Sequence, residues 1–207
     1  MNFLASHAGE IALLFGQHLL LTLSALAVAA MVALPLGIFV RSHDRSGAIV
    51  LGILNVMYTI PSLALYAFLI TYLGLGFGTA LVALVAYAQM ILVRNVLAGL
   101  KSVPPASIEA ARGLGMSPLQ SLVHVELPQA LPVILGGVRI ATIAIIAMAT
   151  LGAWIDAGGL GVLIFYGLQH NDPERVVVGS LACALLALAA DAALRAIERR
   201  AARRLTG

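Results

Sequence analysis

The side chains that could do chemistry in this sequence are few, and none is spaced for catalysis. Five histidines, His7, His18, His43, His124 and His170, are scattered along the chain. They form no HExxH pair and no metal-holding cluster, and no GxSxG nucleophile elbow occurs. Each is expected at a surface or an interface. A phosphate-binding loop needs a lysine directly after a glycine. The only lysine, Lys101, follows Leu100. ATP binding by that route is excluded, so energy for any work must come from a partner. The single cysteine, Cys183, lies in an apolar run and cannot form an internal disulfide or a cysteine-based metal site.

One segment is patterned for a different chemistry, that of docking. It reads SVPPASIEAARGLGMSPLQSLVHVELPQALP from Ser102 to Pro132. Pro104 and Pro105 suit a helix start, because proline is preorganised for the first turn. A short helix is predicted through Glu109, Ala110, Ala111 and Arg112, ended by Gly113 and Gly115, since glycine takes the left-handed conformation cheaply. Ser117, Pro118 and Gln120 then form the pattern of a capping box. The second helix is predicted to run to about Leu127 and to stop at Pro128. A loop with this much order, and no core of its own, should be held by something.

The elements that position this loop lie in a membrane. Of 207 residues, 61% are hydrophobic and only 10% charged, where a soluble domain carries roughly 25% charged residues. Mean hydropathy is +1.03. A span needs about 20 apolar residues to cross about 30 Å of hydrocarbon. Five segments qualify: 18–40, 48–73, 78–98, 133–154 and 175–195. The first is too long for a cleavable signal and has no Lys or Arg before Arg41, so it is expected to persist as a span. The apolar run Leu160–Leu168 is too short to cross and is expected as a short helix at the membrane surface or dipping into it. Pro35 and Pro61 fall inside spans and are expected to kink them.

Charge sets the orientation. With Met1 outside, eleven of the twelve Lys and Arg residues fall on the inner side, and only Arg175 falls outside, beside Asp172 and Glu174. The positive-inside rule favours that arrangement. It puts the 99–132 loop and the basic tail 197–207 in the cytoplasm, where the tail suits anionic lipid. In a soluble protein the net charge of +3 would point to nucleic acid; here it reports topology, and no nucleic-acid partner is expected. The expected fold is an all-α integral membrane protein with one transmembrane domain, 17–196.

Here the residues carry a family resemblance. Glu109-Ala110-Ala111, Gly115 four residues on, and Val125-Glu126-Leu127-Pro128 are similar to the EAA motif of ABC importer permeases, with valine in place of the usual isoleucine. Thr59-Ile60-Pro61-Ser62-Leu63-Ala64-Leu65 and Ala157-Gly158-Gly159-Leu160-Gly161 resemble permeases of the osmoprotectant class, which import glycine betaine, choline or related quaternary amines. The resemblance implies a type I importer permease fold and a coupling helix seated in a groove of a cytoplasmic ATPase. Glu109 would make the polar contact, Ala110 and Ala111 would allow close approach, Gly115 would give the turn, and Leu127 and Pro128 would close the motif. It implies further partners: a second permease chain, identical or not, and an extracytoplasmic binding protein that selects the cargo. Asp156 departs from the pattern, since related permeases tend to carry glycine there. With Gly158, Gly159 and Gly161 it marks an expected outer gate, where it could meet a binding protein, attract a cation or simply face water.

A quaternary ammonium cannot donate a classical hydrogen bond, and aromatic faces recognise it by cation–π attraction. Tyr58 and Tyr87, with Pro61 and Ser62, are the candidate pathway residues. Trp154, Tyr72 and Tyr166 suit an interfacial aromatic belt. Within the ABC class, permeases for methionine, sulfonates or nitrate have similar layouts. The rival outside it is an ion-coupled carrier, but no carboxylate falls mid-membrane to relay a proton. A non-transporting membrane scaffold is the third reading.

Overall fold

A computed structural model describes residues 2–206. Met1 and Gly207, to which the expected topology assigned sides, lie outside the described residues, as does the side chain of Arg204 in the basic tail. The order of helices is α1 (Asn2–Ser6), α2 (Ala8–Ser42), α3 (Asp44–Thr59), α4 (Ser62–Leu73), α5 (Phe77–Lys101), α6 (Pro105–Gly113), α7 (Pro118–Ser121), α8 (Leu127–Ala149), α9 (Gly161–Gln169) and α10 (Pro173–Thr206). A π-helical turn, Leu122–Glu126, joins α7 to α8, and a 3₁₀ turn, Thr150–Ile155, follows α8.

One expectation is met in an extreme form and one needs correction. The stretch 48–73 breaks at Pro61, where a kink was expected. It is two helices bent by 98° between Thr59 and Ser62. Pro61 has no N–H, and its ring pushes the preceding residue out of the helical region; Ile60 accordingly sits at φ −65°, ψ 129°. Second, Pro128 does not stop a helix. It lies in the first turn of α8, directly after the π turn, and helix runs on from Pro118 to Ile155. The connection between the third and fourth spans is therefore shorter than the 99–132 stretch, because α5 extends to Lys101 and the fourth span begins below the apolar run.

Small residues set the packing. On α2 the buried stripe Leu21, Ala25, Ala29, Ala33, Gly37 recurs at helical spacing. It lies against Ala80, Ala83, Leu84 and Ala88 of α5, while Ala141, Ile145 and Ala149 of α8 complete the cluster. Lipid tails are as apolar as leucine, so close backbone approach through Ala and Gly replaces the hydrophobic drive between helices. A Cβ on Gly37 would come within 2.5 Å of Val96 Cγ1. Gln89 of α5 donates from Nε2 to the Ala29 carbonyl at 3.2 Å, a polar tie inside the apolar cluster. Helix α5 is central, and α10 packs on α8 and α9 with most of its surface open.

Charged pairs fasten the helices at both ends of the bundle. At one end Arg175 meets Glu10 at 2.9 Å and Asp172 at 3.4 Å. Toward the other end, Arg139 of α8 binds Asp191 at 3.0 Å and Glu198 at 3.1 Å, both on α10. The Arg175–Glu10, Arg139–Asp191 and Arg139–Glu198 pairs each tie one helix to another.

Candidate functional site

The loop begins where the sequence places it. Helix α6 opens on Pro105 in its first turn and ends at Gly113. Gly115 takes φ +78°, a left-handed position that glycine reaches without strain. The capping box is complete: the Gln120 N–H donates to Ser117 Oγ at 3.3 Å, and the Ser117 N–H donates to Gln120 Oε1 at 2.8 Å. The candidate residues divide by burial. Glu109, Ala110, Gly115 and Pro128 are exposed, and among the described residues Glu109 makes no ion pair or side-chain hydrogen bond. Ala111 is buried against the chain itself, and Leu127 packs inward on the cluster of Val96, Leu100 and Val103. Ala111 and Leu127 thus seat the loop on the helices below.

Two apolar residues beside these stand out. Leu114 is 78% exposed and Leu119 69% exposed, on a part of the chain rich in polar residues. Leu114, Gly115, Gln120 and His124 line a shallow cavity of about 340 Å³. An apolar knob rimmed by polar groups is the usual form of a contact surface. The sequence motif drew attention to Glu109 and the glycines and passed over both leucines.

The aromatic candidates meet at the bend between α3 and α4. The Tyr58 and Tyr87 rings lie edge to face with centroids 6.2 Å apart. The Tyr87 hydroxyl donates to the Ile60 carbonyl. That carbonyl is freed by the break at Pro61, and backbone polar groups at membrane depth require a partner. Tyr58 is 46% exposed while Tyr87 is buried. Pro61 is exposed and Ser62 half-buried, so the four candidates share one corner with an open side. Nearby, the Tyr66 hydroxyl donates to the Met148 carbonyl at 3.5 Å and ties α4 to α8.

At the opposite end of the bundle from the loop, the glycines after α8 are pinned. The Gly159 N–H donates to Gln17 Oε1 at 3.1 Å, and the Leu160 N–H donates to His18 Nδ1 at 3.3 Å. On its other side His18 Nε2–H donates to the Ile146 carbonyl at 3.2 Å. His18 is fully buried, which corrects its expected place at a surface. A buried imidazole must satisfy both ring nitrogens, and here one donates while the other accepts. Gly158 and Gly159 have φ +75° and +86°. A Cβ on Gly159 would meet His18 Nδ1 at 2.9 Å, and one on Gly161 would meet the Thr150 carbonyl oxygen at 2.0 Å. Asp156 is exposed at φ 58°, beside a cavity of about 300 Å³ that Phe165, Tyr166 and Gln169 also line. It takes part in no ion pair among the described residues.

Comparison with known proteins adds to this geometry. A family model described as the inner membrane component of binding-protein-dependent transport systems matches residues 20–203. The chain is 38% identical over 200 residues to the glycine betaine/carnitine/choline transport system permease protein OpuCB of Bacillus subtilis, covering 97% of this chain and 92% of that protein. It is 40% identical over 184 residues to the carnitine transport permease protein OpuCB of Listeria monocytogenes, covering 89% and 84%. To the osmoprotectant import permease protein OsmW of Salmonella typhimurium it is 37% identical over 203 residues, covering 96% and 94%. Among solved structures, an inward-facing conformation of the MetNI methionine ABC transporter superposes with a TM-score of 0.83 at 24% identity, over 89% of this chain and 93% of that one. At that identity the likeness is one of fold.

Proposed function

We propose that this chain, which belongs to the family of binding-protein-dependent transport system inner membrane components and so is the inner-membrane permease subunit of an ABC importer, carries a quaternary-amine osmoprotectant such as glycine betaine, choline or carnitine. ATP is hydrolysed by a separate subunit, and cargo arrives on a binding protein. The observation that carries the cargo assignment is identity of 37–40% with permeases named for those solutes, over nearly the whole of both chains.

In this reading the 102–128 loop is the cytoplasmic coupling element. Glu109, Ala110, Gly115 and Leu114 face the ATPase, while Ala111, Leu127 and Pro128 fix the loop to the fourth span. ATP-driven closure of two ATPases moves two such loops and switches the pathway between its two openings. Tyr58, Pro61, Ser62 and Tyr87 border that pathway. Their open side is completed by a second permease chain, since five spans are too few to seal a route alone. The exposed Tyr58 face there gives a passing quaternary ammonium weak attraction, enough for transit after selection by the binding protein. The segment Asp156–Gly161 forms the outer gate region.

The test of cargo is calorimetric titration of the cognate binding protein with glycine betaine, choline, carnitine and methionine, followed by uptake of the bound solute into vesicles holding the full complex. Binding and ATP-dependent uptake of one or more quaternary amines is the expected result. Binding of methionine alone, or of none of the amines, contradicts it.

A further inference from the structure

The ion pair between Arg41 and Glu126 differs from the other pairs among the described residues. Arg41 closes α2, the first span, and Glu126 ends the π turn between the coupling loop and α8. Their side chains meet through Arg41 Nη2 and Glu126 Oε2. Ser121 donates to the other carboxylate oxygen, Oε1, at 3.1 Å. The Glu126 side chain is only 5% exposed, against 20–38% for the other ion-paired carboxylates of the described residues. A carboxylate buried to that degree is tolerable only when paired and hydrogen-bonded, and removing one partner leaves a costly charge.

Local geometry is adjusted to make this contact. In an α-helix, residues five apart point about 140° away from each other. Ser121 and Glu126 are five apart, and the π turn brings them together. Its i→i+5 bond, from the Leu127 N–H to the Leu122 carbonyl, widens the helix by one residue at this point. Such π bulges cost regular hydrogen bonding and occur mostly where function requires them. Straight α-helix here would swing Glu126 away from Arg41.

Beside the ion pair the joint holds both an apolar cluster, with Ile38, Ile108 and Leu122 on Val96 and Leu100, and open space. A cavity of about 530 Å³ lies between the loop and the end of α2, lined by Ile38, Arg41, Arg112, Leu119 and Glu126 among others. Helix α6 rests mainly on the π turn and α7. Movement of α6 has three routes onward: up α8, through the apolar contacts of Ile108, Leu122 and Leu127 with the Val96–Leu100 end of α5, and across the ion pair to α2. At the far end the same two helices meet again, where His18 of α2 holds the Ile146 carbonyl of α8, and Gln17 and His18 hold the Gly159–Leu160 backbone.

We infer that Arg41 and Glu126 form a force-transmitting clasp, which makes the first span and the fourth span move as one frame when the ATPase displaces the loop, so that the outer glycine segment follows. Both are positioning residues. The inference rests on the coupling role proposed above for the loop. Without the clasp the loop still docks and ATP is still hydrolysed, but α2 then follows α8 only through their shared apolar packing with α5, and the outer end lags. Hydrolysis then runs without matched transport.

The experiment uses the full complex, with ATPases and binding protein, in proteoliposomes. It compares the unaltered chain with Glu126→Gln, Arg41→Gln and the exchanged pair Arg41→Glu/Glu126→Arg, reading ATP hydrolysed per solute imported. Each single variant is expected to retain its ATPase and raise that ratio about fivefold or more, the lower end of typical coupling energies. The exchanged pair is expected to bring the ratio back toward that of the unaltered chain. Two single variants with an unaltered ratio overturn the clasp, and so does an exchanged pair no better than the singles. If Glu126→Gln fails to insert, Arg41→Gln and the exchange still decide. The reading beneath it fails separately: an unaltered chain that retains no ATPase would refute docking by the loop, whatever the ratio.

Discussion

The two ends of the bundle solve opposite problems. At one end, residues around Glu109 and Gly115 are exposed, with Leu114 78% exposed and Glu109 in no ion pair or side-chain hydrogen bond among the described residues. At the other, Gly158, Gly159 and Gly161 are drawn inside and fastened to Gln17, His18 and the Thr150 region. Glycines mark both ends. Gly115 turns the chain in open space, where an added Cβ would touch nothing, whereas Gly159 leaves room for a buried imidazole. The same residue type thus turns an exposed loop in one place and permits internal closure in the other. Substitution should separate the two: damage at the glycine-pinned end should unfold the chain, and damage at the loop should spare the fold and stop the work.

The largest effect is expected at the closed end. Gly159→Val places a branched side chain at φ +86° against His18. Steric conflict and left-handed strain together cost about 3 kcal/mol or more. Thermal melting in detergent should show a large drop or no folded protein, and a normal melting curve would remove the distinction between the two ends. At the open end, Glu109→Ala should leave the melting curve unchanged while ATP-driven uptake falls about tenfold or more. Equal loss of both would mean that Glu109 serves the fold.

Smaller effects sharpen the comparison at positions between the ends. Tyr58→Ala removes an exposed aromatic face beside Tyr87 and should raise the apparent KM for uptake severalfold, since a cation–π contact is worth about 0.5–1 kcal/mol at an open site. Unchanged KM with reduced kcat would instead assign Tyr58 to the movement of the bend. Ser117→Ala breaks the capping box and should cost about 1 kcal/mol, confined to the loop. Faster amide exchange at residues 117–121, with exchange in α5 unchanged, is the signature to look for.

Much of this was readable from local chemistry. The helix start at Pro105, the turn at Gly115 and the Ser117–Gln120 box all follow from neighbouring residues acting on one another. The size of the break at Pro61 does not, because a proline dictates a lost hydrogen bond but tertiary packing decides the angle. Pro128 misled for a related reason: it looks like a stop, but it directly follows a π turn, an irregularity the local sequence does not announce, and the helix continues through it. His18 left a signal that was available. An ionisable residue inside an apolar stretch is a candidate for a specific buried role, and His18 recurs in register with Leu14, Leu21 and Ala25 on the buried face of α2. Arg41 and Glu126 left none, since 85 positions of chain separate them and only folding brings them together.

The claim that the exposed face of the loop is a docking surface is tested most directly by Leu114→Asp. Leu114 is 78% exposed, so the substitution has little to disturb in the fold. Co-purification of the ATPase with the tagged permease from membranes is the measurement. The expected result is a normally inserted permease with an unchanged melting temperature and no retained ATPase. A variant that holds its ATPase as firmly as the unaltered chain would contradict the account.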